Sequence, residues 1–214
     1  MIIIRVEFNE NFGVIEVSFV SIVADPNWAT IVSDSYLIDE TAEGSFKVIP
    51  GRKPSYMRLS ASQLIACTGS ARLLRQLKSD YPFQQRAWKI DARMLNEMRL
   101  KVAAISPERQ DVLAAIVEAG ERMSCRMISN EAGAVWQTLE PDNHRLATLF
   151  MASRAIDPEQ IAGLAAKLDR RLKMIGKSQE EVLRAQKETL LDAAKIDTTV
   201  SQQSFHLVVS RPTY

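Results

Sequence analysis

Ser18-Phe-Val-Ser-Ile-Val-Ala24, Asp25-Pro26-Asn27, Trp28-Ala-Thr-Ile-Val-Ser-Asp34-Ser35: this run, with its continuation to Cys67-Thr68-Gly69-Ser70, decides the fold. Two segments rich in β-branched residues flank a turn signal, which predicts two neighbouring strands, the second over residues 28–38. After a polar excursion, residues 44–49 predict another strand, closed by Pro50-Gly51. Residues 56–59 and 63–68 predict the next pair, around Ser60-Ala61-Ser62, and Gly69-Ser70 then leads into a helix over residues 70–79.

Upstream, residues 1–8 and 14–23 predict a β-hairpin around the turn cluster Asn9-Glu-Asn-Phe-Gly13. Downstream, residues 91–102 predict a short helix. Ser106-Pro107-Glu108 has the makings of a helix start, with Ser as N-cap and Pro in the first turn, and predicts a helix to about Gly120. Residues 123–129 and 134–139 predict a hairpin, and residues 146–152 a strand. Asp157-Pro158 opens a helix to about Lys173, and Ser178-x-x-Glu181 is a capping-box start for another, ending near Ala194. Residues 204–210 predict a last strand. Strands then helices, used twice, suit two stacked sheets with helices outside.

The chain has 214 residues, 46% hydrophobic and 25% charged, with a net charge of +1. One domain over residues 1–214 is the expectation, with residues 1–17 as an N-terminal extension. The balanced charge gives no footprint for nucleic acid or an acidic membrane. No stretch approaches the ~18 apolar residues of a membrane span. The two cysteines, Cys67 and Cys125, sit in apolar runs without metal-ligand spacing, which predicts buried thiols in a reducing, cytoplasmic setting. His144 and His206 are far apart, and zincin, nucleophile-elbow, phosphate-loop and dinucleotide motifs are missing from the sequence. No cofactor and no metal are expected.

The order of elements resembles the β-type subunits of the proteasome, within the N-terminal nucleophile (Ntn) hydrolases, over about residues 18–210. The resemblance implies an α+β fold, a four-layer αββα sandwich. It also implies site residues. An Asp-Ser pair follows the nucleophile by sixteen positions in that family, so Asp34-Ser35 puts Ser18 at the nucleophile position. Lys53 is nearest to the family's lysine, and Gly69 matches the turn that binds substrate backbone and offers the oxyanion donor. Ala152-Ser153-Arg154 stands where the family has Gly-Ser-Gly. Asp197 and Ser201 match a late Asp-x-x-Ser-Gly-Gly motif, with one extra residue and with Gln202-Gln203 in place of both glycines.

An Ntn nucleophile uses its own α-amino group as general base, a group with a free pKa near ~8. Ser18 lacks that amine while Val17 is bonded to it. Two readings follow. In the first, the site is vestigial and the protein is a structural subunit of a homo-oligomeric ring or larger complex, a viral or injection-machine scaffold being one such use. In the second, residues 1–17 are removed and Ser18 serves a self-processing peptidase, with Asp34 and Lys53 in support. The amphipathic stripe Ile161, Leu164, Ala165, Leu168 and Leu172 suits either sheet cover or assembly. The first reading is the expectation carried forward.

Overall fold

The helices that begin at Pro158 and Gln179 start where the sequence signals put them. The computed structural model describes residues 2–4, 18–40, 46–50, 53–108, 110–152 and 156–211. The strands are β1 (Ile2–Ile4), β2 (Val20–Ala24), β3 (Trp28–Asp34), β4 (Tyr36–Glu40), β5 (Phe46–Pro50), β6 (Tyr56–Ser60), β7 (Gln63–Thr68), β8 (Leu113–Ala119), β9 (Met123–Ser129), β10 (Gln137–Leu139), β11 (Ala147–Met151) and β12 (Ser204–Ser210). The helices are α1 (Ala71–Asp80), α2 (Ala92–Ala103), α3 (Pro158–Ile175) and α4 (Gln179–Ile196). Asp157 with Gln160, and Ser178 with Glu181, form reciprocal capping boxes, each satisfying orphan N–H groups at a helix start. Ser70 caps α1 and Asp91 caps α2.

Two five-stranded sheets run in the orders β1-β11-β2-β3-β12 and β10-β9-β8-β7-β6, and β4 pairs with β5 in a separate ribbon. All pairings are antiparallel except β1 with β11. Three hydrophobic clusters follow from this. One draws on both large sheets, with Ile22, Ile31 and Leu149 from the first and Leu64, Val117 and Met127 from the second. A second joins the other face of the first sheet (Phe19, Val23, Val32) to α3 and α4 through Leu164, Leu168, Val182 and Leu190. The third joins the other face of the second sheet (Met57, Ile65, Ile116) to α1 and α2 through Leu73, Leu77, Met94 and Met98.

Four expectations need correction. The helix expected from Ser106 to Gly120 is not there: Gln110 closes a single turn onto Ser106, and the rest is β8. Leu113, Ala115, Val117 and Ala119 face the inter-sheet cluster, while Ala114 and Ile116 face the helices. A strand covered on both sides is apolar at every position, so its residues carry no period that separates it from a buried helix. Among the described residues, β1 does not neighbour β2 as the expected N-terminal hairpin would place it. β1 lies parallel to β11, Ile2 opposite Ala147, and β11 takes the place beside β2 through five antiparallel pairs. The expected turn at residues 9–13 lies outside the described residues, as does Gly51. The strand expected over residues 28–38 breaks at Ser35 into β3 and β4. The hairpin arm over residues 134–139 shortens to β10, because Trp136 instead donates its indole N–H to the Leu95 carbonyl on α2, at 3.0 Å.

Polar ties lock α4 to the sheet and to α3. Gln186 is fully buried; its Oε1 accepts from the Thr30 hydroxyl at 2.7 Å and its Nε2 donates to the Ser21 carbonyl at 3.0 Å. Arg171 on α3 donates to Asp192 at 2.7 Å and to Thr189 at 2.9 Å, and pairs with Glu188 at 3.0 Å. Burial alone raises the Asp192 pKa, but hydrogen bonds from Arg171 and Lys195, with the charge of Lys167 nearby, outweigh it and hold the carboxyl below its ordinary 3.8. The folded pKa therefore lies under the unfolded one. This contribution to stability is present above about pH 4 and is lost as pH falls through the folded value. Arg171→Met is expected to cost about 1–2 kcal/mol at pH 7 and less near pH 3, read from urea unfolding at both pH values. An equal loss at the two would disprove the ionic origin.

Candidate functional site

The lower ends of β2 and β3 bring Ser18 and Asp34 together. Asp34 donates its N–H to the Phe19 carbonyl at 3.0 Å, and Ser18 precedes Phe19 at the start of β2. The loop between α4 and β12 closes over this end. There the Ser201 N–H donates to Asp34 Oδ2 at 3.1 Å, and the Ser35 hydroxyl donates to Ser201 Oγ at 2.9 Å. Ser201 Oγ accepts a second bond from the Gln203 N–H at 3.1 Å. Asp197 ends α4 and turns the loop: its Oδ1 accepts from the Thr199 N–H at 2.9 Å and the Thr199 hydroxyl at 2.5 Å. Ser18 is 3% exposed, Asp34 0%, Ser35 2%, Asp197 4% and Ser201 5%.

Gly69 lies at the corresponding end of the second sheet, between β7 and α1, with φ +82°. That left-handed conformation favours glycine. The site is crowded as well: a Cβ there would fall 1.7 Å from the Asp111 carbonyl oxygen. The Gln110 side-chain amide donates to the Gly69 carbonyl. Asn130 holds the same segment, its Oδ1 accepting from Val112 N–H at 3.0 Å and its Nδ2 donating to the carbonyls of Gln110 at 2.7 Å and Ile105 at 2.9 Å.

The structure thus gathers Asp34, Ser35 and Ser201 into one hydrogen-bonded cluster, with Ser18 at the same strand end. Lys53 is exposed on the segment leading into β6. Ser153 lies outside the described residues. Three residues of this region had no reading in the sequence: Gln110 and Asn130, which brace the Gly69 turn, and Ser33, whose hydroxyl accepts from the Ser55 N–H at 3.3 Å. Asn130 signalled only a turn, and nothing local marks a side chain that will close on a strand end twenty residues away.

Cys67, next to the Gly69 turn, is no substitute nucleophile. Burial pushes its thiol up to about 12, against a weaker opposing hydrogen bond to Ser70, and burial does the same to Cys125, so both stay as thiols. Both are free and buried, as the apolar runs around them imply. Among the described residues, no cluster of His, Cys, Asp and Glu is placed to hold a metal ion, and no helix is long and apolar enough to cross a membrane.

No protein-family model matches the chain, and neither does any curated protein sequence. Solved structures do. HslV from Trypanosoma brucei superposes with a TM-score of 0.54 at 12% identity, over 90% of this chain and 99% of that one. The Thiobacillus denitrificans BPH protein, solved in complex with epoxomicin, superposes with a TM-score of 0.57 at 13% identity, over 91% of this chain and 100% of that one. At such identity the likeness is one of fold, and it spans about nine tenths of the chain. This chain has the fold of HslV and the proteasome β-type proteins, the fold of the Ntn hydrolases.

Proposed function

We propose that this chain is a non-catalytic, proteasome-β-like structural subunit, a four-layer αββα sandwich that assembles into a homo-oligomeric ring or a larger complex in the cytoplasm. The observation that carries the reading is β1. Residues upstream of the nucleophile position form a strand of the very sheet that holds Ser18, paired with β11 from Ile2 to Ile4. Cutting before Ser18 would remove that strand, whereas an Ntn enzyme must free the amine there. The burial of Ser18, Asp34 and Ser201 supports the same reading, since a substrate carbonyl needs access to the hydroxyl. The three core clusters support the layering, with helices on the outer face of each sheet.

Intact-mass measurement of the purified, assembled protein tests this. A full-length mass is expected, unchanged after incubation with epoxomicin, the molecule carried by the Thiobacillus protein. Ser18→Ala is expected to leave assembly intact and to shift stability by less than about 1.5 kcal/mol, the scale of a single net hydrogen bond. A mature chain beginning at Ser18 that hydrolyses peptides, with activity lost in Ser18→Ala, would replace this reading with the self-processing peptidase.

A further inference from the structure

Among the described residues, the two large sheets have four edges, and three are blunted. β1 and β10 are three residues each, and β6 carries an irregularity between Arg58 and Ser60. Short or bulged edges resist pairing with another chain. The fourth edge, β12, is different. It runs seven residues in unbroken register with β3, and its sequence Ser-Phe-His-Leu-Val-Val-Ser has no charged residue, no proline and no glycine. Among the described residues, no strand pairs with its outer side.

The hydrogen-bond alternation fixes which groups that outer side offers. Asp34 donates to the carbonyl of Phe19, the residue just before β2, so even-numbered residues of β3 turn their backbone groups to β2 and odd-numbered ones to β12. Through the register, Phe205, Leu207 and Val209 bond β3, and Ser204, His206, Val208 and Ser210 turn outward. The guanidinium of Arg58 agrees: it reaches across from β6 and donates to the outward Val208 carbonyl at 3.2 Å. The other outward groups are template for a strand. Burial, reinforced by the Lys187 charge, holds the His206 pKa below its ordinary 6.5, so the edge stays neutral at neutral pH.

We infer that β12 pairs antiparallel with β12 of a second copy of this chain, about a two-fold axis at Phe205. The inference rests on the assembly reading above and names one contact within it. A neutral strand facing its own copy sets no like charges opposite one another, which favours self-pairing over a charged peptide. The position of the axis follows from Arg58. With the axis at Phe205, Ser204 meets His206 of the second copy, and each such pair exchanges two N–H···O bonds. The Val208 carbonyl stays with Arg58. An axis at His206 or Leu207 would need that carbonyl. A two-fold contact closes on itself, so it joins copies in pairs and leaves any ring-forming surface elsewhere.

Sedimentation equilibrium across a concentration series, on the full chain, tests the contact. The wild type is expected to associate and His206→Pro to lose the pairing step with its circular dichroism unchanged, because the lost N–H points away from β3. Phe205→Cys is expected to form a disulfide-linked pair on oxidation. Opposed non-hydrogen-bonded residues lie about 4.5 Å apart at Cα, within reach of a disulfide, and the two native cysteines are buried. A wild type that stays monomeric at every concentration overturns both this contact and the assembly reading. A His206→Pro protein that assembles like the wild type overturns the contact alone. Should that variant fail to fold, the cysteine pair decides: no cross-link at Phe205→Cys, or a cross-link at Leu207→Cys in its place, overturns the inference.

Discussion

Gly69→Ala is expected to cost about 2–5 kcal/mol, a large share of the roughly 5–15 kcal/mol that holds a typical domain folded. Two effects add. The left-handed φ of +82° costs an L-residue about 1–2 kcal/mol, and the new methyl meets the Asp111 carbonyl at 1.7 Å. That carbonyl has little freedom to yield, since Asn130 holds the residues on both sides of it, Gln110 and Val112. Forcing the segment apart would also break the Gln110 bond to the Gly69 carbonyl. Gly133 is the internal control. Its φ is +78°, yet nothing lies within 4 Å of its Cβ position, so Gly133→Ala bears the backbone cost alone. Denaturant unfolding of the two variants separates the terms. Equal losses would show that the contact with Asp111 is absent.

Much of this architecture was legible wherever local chemistry decides it. The Asp157-Pro158 pair and the Ser178-x-x-Glu181 box marked both helix starts, because each side-chain acceptor sits within one turn of the donor it satisfies. The last strand, Ser204–Ser210, was legible from its short apolar run. β8 was not, because a strand buried on both faces and a buried helix are equally apolar. The partner of β1 was not legible either. Ile2–Ile4 reads as a strand from its branching, but its neighbour lies about 145 residues away, and no local signal selects β11 over β2. The site divides the same way. The sixteen-residue step from Ser18 to Asp34 is short and survives in the sequence. The closure of Ser201 over Asp34 spans 167 positions and depends on how α4 packs.

On the proposed reading, that closure lets a vestigial constellation keep its residue types. Asp34, Ser35 and Ser201 hold one another and the loop into β12, which gives each a structural task independent of chemistry. Lys53, the member with a purely chemical task in the peptidase reading, is exposed in the segment before β6.

Asp34→Ala is the second large effect, expected to cost about 2–4 kcal/mol. The side chain is fully buried and accepts the Ser201 N–H at 3.1 Å, and leaving a buried donor unsatisfied costs about 1–3 kcal/mol. Alanine removes the acceptor, strands a buried donor and leaves a void at the strand end. Asp34→Asn is the control: its amide oxygen still accepts from Ser201, so its cost is expected to be well under that of Asp34→Ala. Amide hydrogen exchange supplies a local readout. In Asp34→Ala, exchange at Ser201 and Gln203 is expected to accelerate, while β8, in the middle of the other sheet, keeps its protection after correction for global stability. A loss below about 1 kcal/mol with unchanged exchange at Ser201 would show that Asp34 does not anchor the loop.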